Sequence, residues 1–384
     1  MDSKPEIIAC TTWDAMITNE NILRSIFAYG FDKPSPIQGK AIPILSQGKD
    51  LIAQAQSGTG KTAAFSIGAL TRIDFSDKNV QALIIAPTHE LARQISTVCA
   101  GISSLIHGCS VKCFVGGSSV SDDLRTIEND CPQIVVGTPG RIFDLIRRRY
   151  LETSYIKMLI IDEADEMLSV GFKDQIQDIF KTMPESVQTA IFSATMNRDV
   201  IDLTKRFMID PVLITVNADK LTLDGIKQYA VMLNNDGDKF DLLKRIFGGN
   251  NISACVIYCN TVERVEHLVH AMSSEGFAVS GIHSKMSKQE REESMKQFRV
   301  GDSRFLISSD LTARGIDVQQ VGVVINFDIT KNAHTYLHRI GRSGRWGRKG
   351  TAINFATYRD RFLLEDIEKY YNTQILPMPD NLTF

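Results

Sequence analysis

Short apolar runs rich in β-branched residues recur from one end of this chain to the other, and amphipathic stretches separate them. In the first half the runs are "DLIAQA", "ALIIAP", "KCFVGG", "QIVVGT", "KMLIID", "TAIFSAT" and "PVLITV". In the second half they are "ACVIYC", "AVSGIH", "RFLISSD", "GVVINFD" and "TAINFAT". Strands apolar along their whole length need cover on both faces, so the pattern predicts parallel sheets flanked by helices. Stretches such as "ELARQISTVCAGIS" and "TVERVEHLVHAMSSEG" have the helical period to supply that cover. At 384 residues the chain is too long for one typical core. The apolar periodicity lapses at "VNADKLTLD". The expected organisation is therefore a first domain over residues 1–215, a linker over 216–224 and a second domain over 225–384. Each domain is expected to be an open α/β sheet that binds ligands at the carboxyl ends of its strands.

The net charge of −2 argues against a generic polyanion binder. Residues 1–215 hold 21 Lys+Arg against 25 Asp+Glu, and residues 216–384 hold 22 against 20. Any surface for nucleic acid must therefore be local. Neither a leader peptide nor a membrane span is expected, since no apolar run is long enough. The seven cysteines lack zinc-site spacing and are read as buried free thiols.

Two stretches carry chemistry. "AQSGTGKT", residues 55–62, follows an apolar run and opens a helical one, the setting a P-loop needs. Gly58 and Gly60 let the backbone N–H groups of Ser57, Thr59 and their neighbours wrap phosphates. Lys61 meets the β- and γ-phosphates, and the Thr62 hydroxyl serves Mg²⁺. Ala55 stands where the strict pattern has glycine. Further on, "MLIIDEADEML" runs from an apolar segment into Asp162, Glu163, Asp165 and Glu166. Like charges this close disfavour one another's ionisation. Asp162 at a strand end is placed as a Walker-B aspartate holding Mg²⁺, with Glu163 to orient or deprotonate the attacking water. Glu166 reads only as an acidic helix start.

Asp162-Glu163-Ala164-Asp165 spells D-E-A-D, and the chain resembles the DEAD-box ATP-dependent RNA helicases over residues 10–375. Within them it looks closest to the eukaryotic translation initiation factor 4A branch. The resemblance implies two tandem RecA-like P-loop domains, ATP and Mg²⁺ as nucleotide and cofactor, and RNA-dependent hydrolysis to ADP and phosphate. In "GFDKPSPIQ" it implies adenine readout by Gln38 with Phe31 stacked on the base, and Trp13 matches an upstream aromatic. In "SAT" it implies that the Ser193 and Thr195 hydroxyls bond the Asp165 side chain and couple the ATP site to domain closure. In "HRIGRSGRWGR" it implies Arg342 and Arg345 as arginine fingers, with His338 touching the acidic loop. In "SSDLTARGID" it implies Asp317 on the ribose and Ser309 on the RNA backbone.

The implied RNA contacts in the first half are Thr88 and His89 of "PTHELA", Gly116 and Gly117, and Thr138 and Arg141 of "TPGR". Those in the second half are Asn260 and Arg291. These groups read phosphate and sugar, so little sequence preference and only local unwinding of short duplexes are expected. The family usually has Arg where this chain has His89, which removes a permanent charge. Ser284 and Lys285 stand where Gly-Asp is common, and Lys288 where Gln is common, so both lysines are expected to restore charge near the RNA. The branch implies a cytoplasmic monomer acting in translation initiation with scaffold or activator proteins, among them a large HEAT-repeat adaptor. A splicing, exon-junction or ribosome-assembly branch would instead imply an ATP-gated RNA clamp, with a nuclear location possible. A P-loop enzyme acting on small molecules is disfavoured by the arginine-finger motif.

Overall fold

The computed structural model describes residues 9–55, 59–169, 171–215, 226–249, 252, 254–309, 321–341, 343 and 350–379. Packing divides the chain into two units, residues 1–217 and 218–384. The expected linker, 216–224, lies outside the described residues.

The first unit contains strands β1 (Leu51–Gln54), β2 (Ala82–Ile85), β3 (Val111–Phe114), β4 (Ile134–Gly137), β5 (Met158–Ile161), β6 (Gln188–Ser193) and β7 (Val212–Thr215). They form one sheet in the order β3-β4-β2-β5-β6-β1-β7, and every pairing is parallel. Alternate side chains serve opposite faces. Ala82, Ile84, Met158 and Ile160 join one apolar cluster, whereas Leu83, Ile85, Leu159 and Ile161 join another. Two dry faces account for the continuous apolar runs.

The covering helices follow from the same logic. Leu91, Ala92, Ile95, Cys99 and Ile102 form the buried stripe of the helix His89–Ile102, and the Thr88 hydroxyl caps it by accepting from Leu91 N at 3.2 Å. The helix Pro36–Ser46 starts with proline at its first position, where a missing N–H costs nothing. It lies so close to Lys61–Leu70 that a Cβ at Gly68 would come within 2.4 Å of Leu45.

The second unit contains β8 (Ile226–Leu233), β9 (Cys255–Cys259), β10 (Val279–Ile282), β11 (Phe305–Ser309), β12 (Val323–Asn326), β13 (Gly350–Thr357) and β14 (Leu376–Pro377). Their order is β10-β11-β9-β12-β13-β8-β14, again parallel throughout. Counted from the first strand of each unit, the two orders are identical. The fold is thus a pair of α/β units of one topology.

Seven free cysteines are present, but only Cys99, Cys255 and Cys259 are buried; the other four are half-buried, contrary to a uniformly buried set. Among the described residues no helix is long and apolar enough to cross a membrane.

Candidate functional site

In the first unit the sheet order sorts the candidate residues into two groups along its carboxyl edge. β5, β6 and β1 are neighbours, and the segments that follow them carry Asp162–Asp165, Ser193–Thr195 and the P-loop. β3, β4 and β2 are the other neighbours, followed by Gly116–Gly117, Thr138–Arg141 and Thr88–His89. The residues expected to meet phosphate and those expected to meet RNA therefore occupy adjacent lengths of one edge.

At the P-loop, Gly60 has φ +98° and precedes the helix Lys61–Leu70. A Cβ there would meet Gln38 Nε2 at 2.6 Å, so conformation and space both require glycine. Ser57 and Gly58 lie outside the described residues. Lys61 is buried, and its ammonium donates to Glu163 Oε1 at 3.1 Å and lies 3.8 Å from Asp162 Oδ1. Burial acts to lower the Lys61 pKa, but the charges of Glu163, Asp162 and Asp165 outweigh it and the net shift is upward. Burial pushes Asp162 up to about 7 against the opposing pull of Lys61.

Glu163 adopts φ +51°, a left-handed conformation that costs a non-glycine residue strain. The turn diverts the backbone from β5 into the helix Ala164–Ser169, and Glu163 N donates to Asp162 Oδ1 at 3.0 Å. The adjacent acids thereby acquire separate surroundings. Asp165 Oδ2 accepts from Thr195 N at 3.1 Å and from Thr195 Oγ1 at 2.9 Å. Ser193 corrects the expectation for the second hydroxyl. Its Oγ accepts from Asp165 N at 3.3 Å and donates to Thr195 O at 2.8 Å, fixing the backbone on both sides instead of bonding the carboxylate.

Gln38 is fully buried. Its Oε1 accepts from Ser35 N at 2.7 Å, and its Nε2 donates to Gly60 O at 3.3 Å. Ser35 Oγ also donates to Thr59 O at 2.9 Å. In this arrangement the glutamine reads the P-loop backbone, a role its sequence position had not suggested. Phe31 is half-buried with its ring 5.1 Å from Tyr29 and 6.3 Å from Trp13. Trp13 is a core residue whose Nε1 donates to Phe31 O at 3.0 Å.

Among the RNA candidates, Thr88 and Thr138 precede the helices His89–Ile102 and Pro139–Arg147, and Gly117 has φ +80°. A Cβ on Gly116 would lie 3.2 Å from His89 Nε2, so these two positions face one another. Arg141 is half-buried, with its guanidinium turned onto protein partners. Its Nη1 pairs with Asp123 and bonds Ser118 Oγ at 3.2 Å, while Nη2 donates to Ser118 O at 2.7 Å. It thus ties the glycine-bearing loop to the helix Val120–Asp130. No sequence signal marked Asp123, which looks like an ordinary helix-start acid.

In the second unit Asn260 follows β9, Ser309 ends β11, and Arg291 lies on the helix Lys288–Val300 after β10. β9, β10 and β11 are the neighbours equivalent to β2, β3 and β4. The Asn260 side chain accepts from Arg339 Nη2 at 2.8 Å and donates to Ile329 O at 3.0 Å. Lys285 donates to Glu263 at 2.8 Å in an exposed ion pair that holds that carboxyl down to about 2. His338 lies on the helix Ala333–Ile340. Arg342, Arg345 and Asp317 lie outside the described residues, as does the side chain of Lys288.

Among the described residues no group of three metal-ligating side chains occurs. Mg²⁺ does not require one, since phosphates and waters complete its shell around one or two protein oxygens. The buried Asp162 carboxylate and the Thr62 hydroxyl fit that demand.

Residues 35–203 match the DEAD/DEAH box helicase family, and residues 238–347 match the helicase conserved C-terminal domain. Eukaryotic initiation factor 4A of Caenorhabditis elegans is 50% identical over 97% of this chain and 92% of that protein. The Drosophila melanogaster factor of the same name is 50% identical over 99% and 95%. Among solved structures, Saccharomyces cerevisiae Dbp5 bound to RNA and ADP BeF3 superposes with a TM-score of 0.88 at 35% identity, over 97% of this chain and 96% of that one. A DEAD box protein from the hyperthermophile Methanococcus jannaschii gives a TM-score of 0.58 at 32% identity, over 97% and 100%.

Proposed function

Since this chain belongs to the DEAD-box ATP-dependent RNA helicases, of the initiation factor 4A type, we propose that it hydrolyses ATP to ADP and phosphate when bound to RNA. The observation that carries the reading is the cluster of buried Lys61 and Asp162 with half-buried Glu163 beside the P-loop turn at Gly60. Lys61 binds the β- and γ-phosphates. Glu163, paired with Lys61 at 3.1 Å, accepts hydrogen bonds from the attacking water once the phosphates take over the ammonium. Asp162 and Thr62 would hold Mg²⁺, which when bound would neutralise charge on the phosphate oxygens. Gln38 and Phe31 hold the adenine side, and Asp317 the ribose. Arg342 and Arg345 of the second domain contribute charge at the γ-phosphate, so turnover requires both domains.

RNA is bound through its backbone by Thr88, His89, Gly117, Thr138, Asn260, Arg291 and Ser309, with little sequence preference. Arg141 acts there by shaping the loop of Gly117. The Asp165–Thr195 bonds link the nucleotide site to the rest of the chain and, with His338, to closure. Local unwinding of short duplexes in translation initiation, in the cytoplasm, with a scaffold or activator protein, is the setting that similarity to initiation factor 4A supports. The RNA and ADP BeF3 bound to Dbp5 support a state that holds both ligands together.

The test is RNA affinity with and without ATP in Glu163→Gln, which keeps shape but slows hydrolysis. We expect tight RNA binding only with ATP present. Equal affinity in both conditions would count against the proposal.

A further inference from the structure

The shared topology makes each position in one unit correspond to a position in the other. In the first unit, the edge of β5, β6 and β1 carries Lys61 after β1 and Asp162 after β5. The equivalent edge of β12, β13 and β8 carries Lys239, in the first turn of the helix Asp236–Gly249, and Asp328, two residues beyond β12. Here too the lysine is buried beside the aspartate, with Lys239 Nζ 3.7 Å from Asp328 Oδ1 and donating to Phe327 O at 2.8 Å.

A third charge lies between them. Arg264, on the helix Val262–Ser274, bonds Asp328 through Nε at 2.7 Å and Nη2 at 2.6 Å. The same guanidinium reaches Asp236 through Nη1 at 2.8 Å and Nη2 at 3.2 Å. These bonds hold the Arg264 pKa above its ordinary value and the Asp236 pKa below. Both Lys239 and Arg264 also lie over the Phe327 ring, each 5.6 Å from its centre. The edge that carries the phosphate candidates in the first unit holds a guanidinium between two carboxylates in the second.

The cluster ends at Asn260. Asp328 Oδ2 accepts from Asn260 N at 3.1 Å as well as from Arg264 Nε. Arg339, fully buried, donates to Asp328 O at 2.6 Å and to Asn260 Oδ1 at 2.8 Å. Asn260 is exposed at the edge equivalent to that of Thr88, so its backbone is held from below while its surface is open.

We propose that Arg264 is a positioning residue for RNA binding: by bridging Asp236 and Asp328 it fixes the carboxylate that holds Asn260. This rests on the reading of Asn260 as an RNA contact. A planar guanidinium can bond two carboxylates at once, which a lysine ammonium does only poorly. In this role Arg264 acts through Asp328 and Asn260.

The experiment uses the full chain and a single-stranded oligonucleotide, measuring ATPase kcat, the KM for RNA, the KM for ATP and the melting temperature. For Arg264→Met we expect the KM for RNA to rise about fivefold to tenfold, with kcat at saturating RNA and the KM for ATP changing by less than about twofold. Arg264→Lys should recover part of the loss; it is also the test should the Met variant fail to fold. Asn260→Ala should raise the KM for RNA similarly, and the double variant should add little. Losses that multiply in the double variant, or a lower melting temperature with an unchanged KM for RNA, would overturn the positioning role. An unchanged KM for RNA in Asn260→Ala would overturn the reading of Asn260 itself.

Discussion

Glu163 carries a strain that its chemistry explains and its stability does not. A left-handed backbone at a non-glycine residue costs on the order of 1 kcal/mol or more. It turns the chain between β5 and the next helix so that Asp162 and Glu163 diverge. Glu163→Ala and Glu163→Gly both remove the carboxylate, but only glycine removes the strain. We therefore expect the glycine variant to be more stable than the alanine variant by about 1 kcal/mol in denaturant titration, with both inactive. His89 is the other residue with a distinct prediction. It faces Gly116 on the edge proposed to bind RNA, and His89→Arg should tighten single-strand binding and steepen its log–log salt slope by about 0.7, one phosphate contact. Unchanged affinity across salt would remove His89 from the interface. At this scale the P-loop lysine and the D-E-A-D acids were legible because each works within a short stretch of chain. Asp123 and the inward-turned guanidinium of Arg141 were not, because their pairing joins separate elements.

Elements were legible in proportion to how apolar they are. All seven strands of the first sheet stood out, since most are buried on both faces. In the second sheet β8 and β14 did not. "IKQYAVML" mixes buried and exposed positions next to the sheet edge, and β14 is a two-residue edge strand ending in proline. The helix Val120–Asp130 packs Val120 and Ile127 against the core, and its one buried residue is Asp123, paired with Arg141. Asp123→Ala leaves the Arg141 guanidinium buried without its carboxylate. It should cost about 3 kcal/mol in denaturant titration, whereas a loss under about 1 kcal/mol would mean the pair is not buried in solution. β9 offers a test by thiol chemistry. Burial pushes the Cys255 and Cys259 thiols above their ordinary pKa, and pushes Cys99 up to about 12. Alkylation of the folded protein at pH 8 should spare all three and label them only after unfolding, because the thiolate is the reactive form.

The whole molecule is two copies of one topology put to different uses. In the first sheet the carboxyl edge of β5, β6 and β1 carries the P-loop turn, a buried lysine and a carboxylate, the groups proposed to meet phosphate. The same edge in the second sheet carries Arg264 bridging Asp236 and Asp328. That difference was not legible, since Lys239, Arg264 and Asp328 lie far apart in sequence and match no motif. The division into two α/β domains was legible, because strand and helix patterns recur on both sides of the break. The central claim is that RNA and ATP act on one state of the chain, each needing the other for turnover. Steady-state ATP hydrolysis by the full chain, with and without saturating single-stranded RNA, tests it most directly. The account predicts turnover that rises at least several-fold with RNA and is lost in Glu163→Gln under both conditions. Turnover that is the same with and without RNA would contradict it.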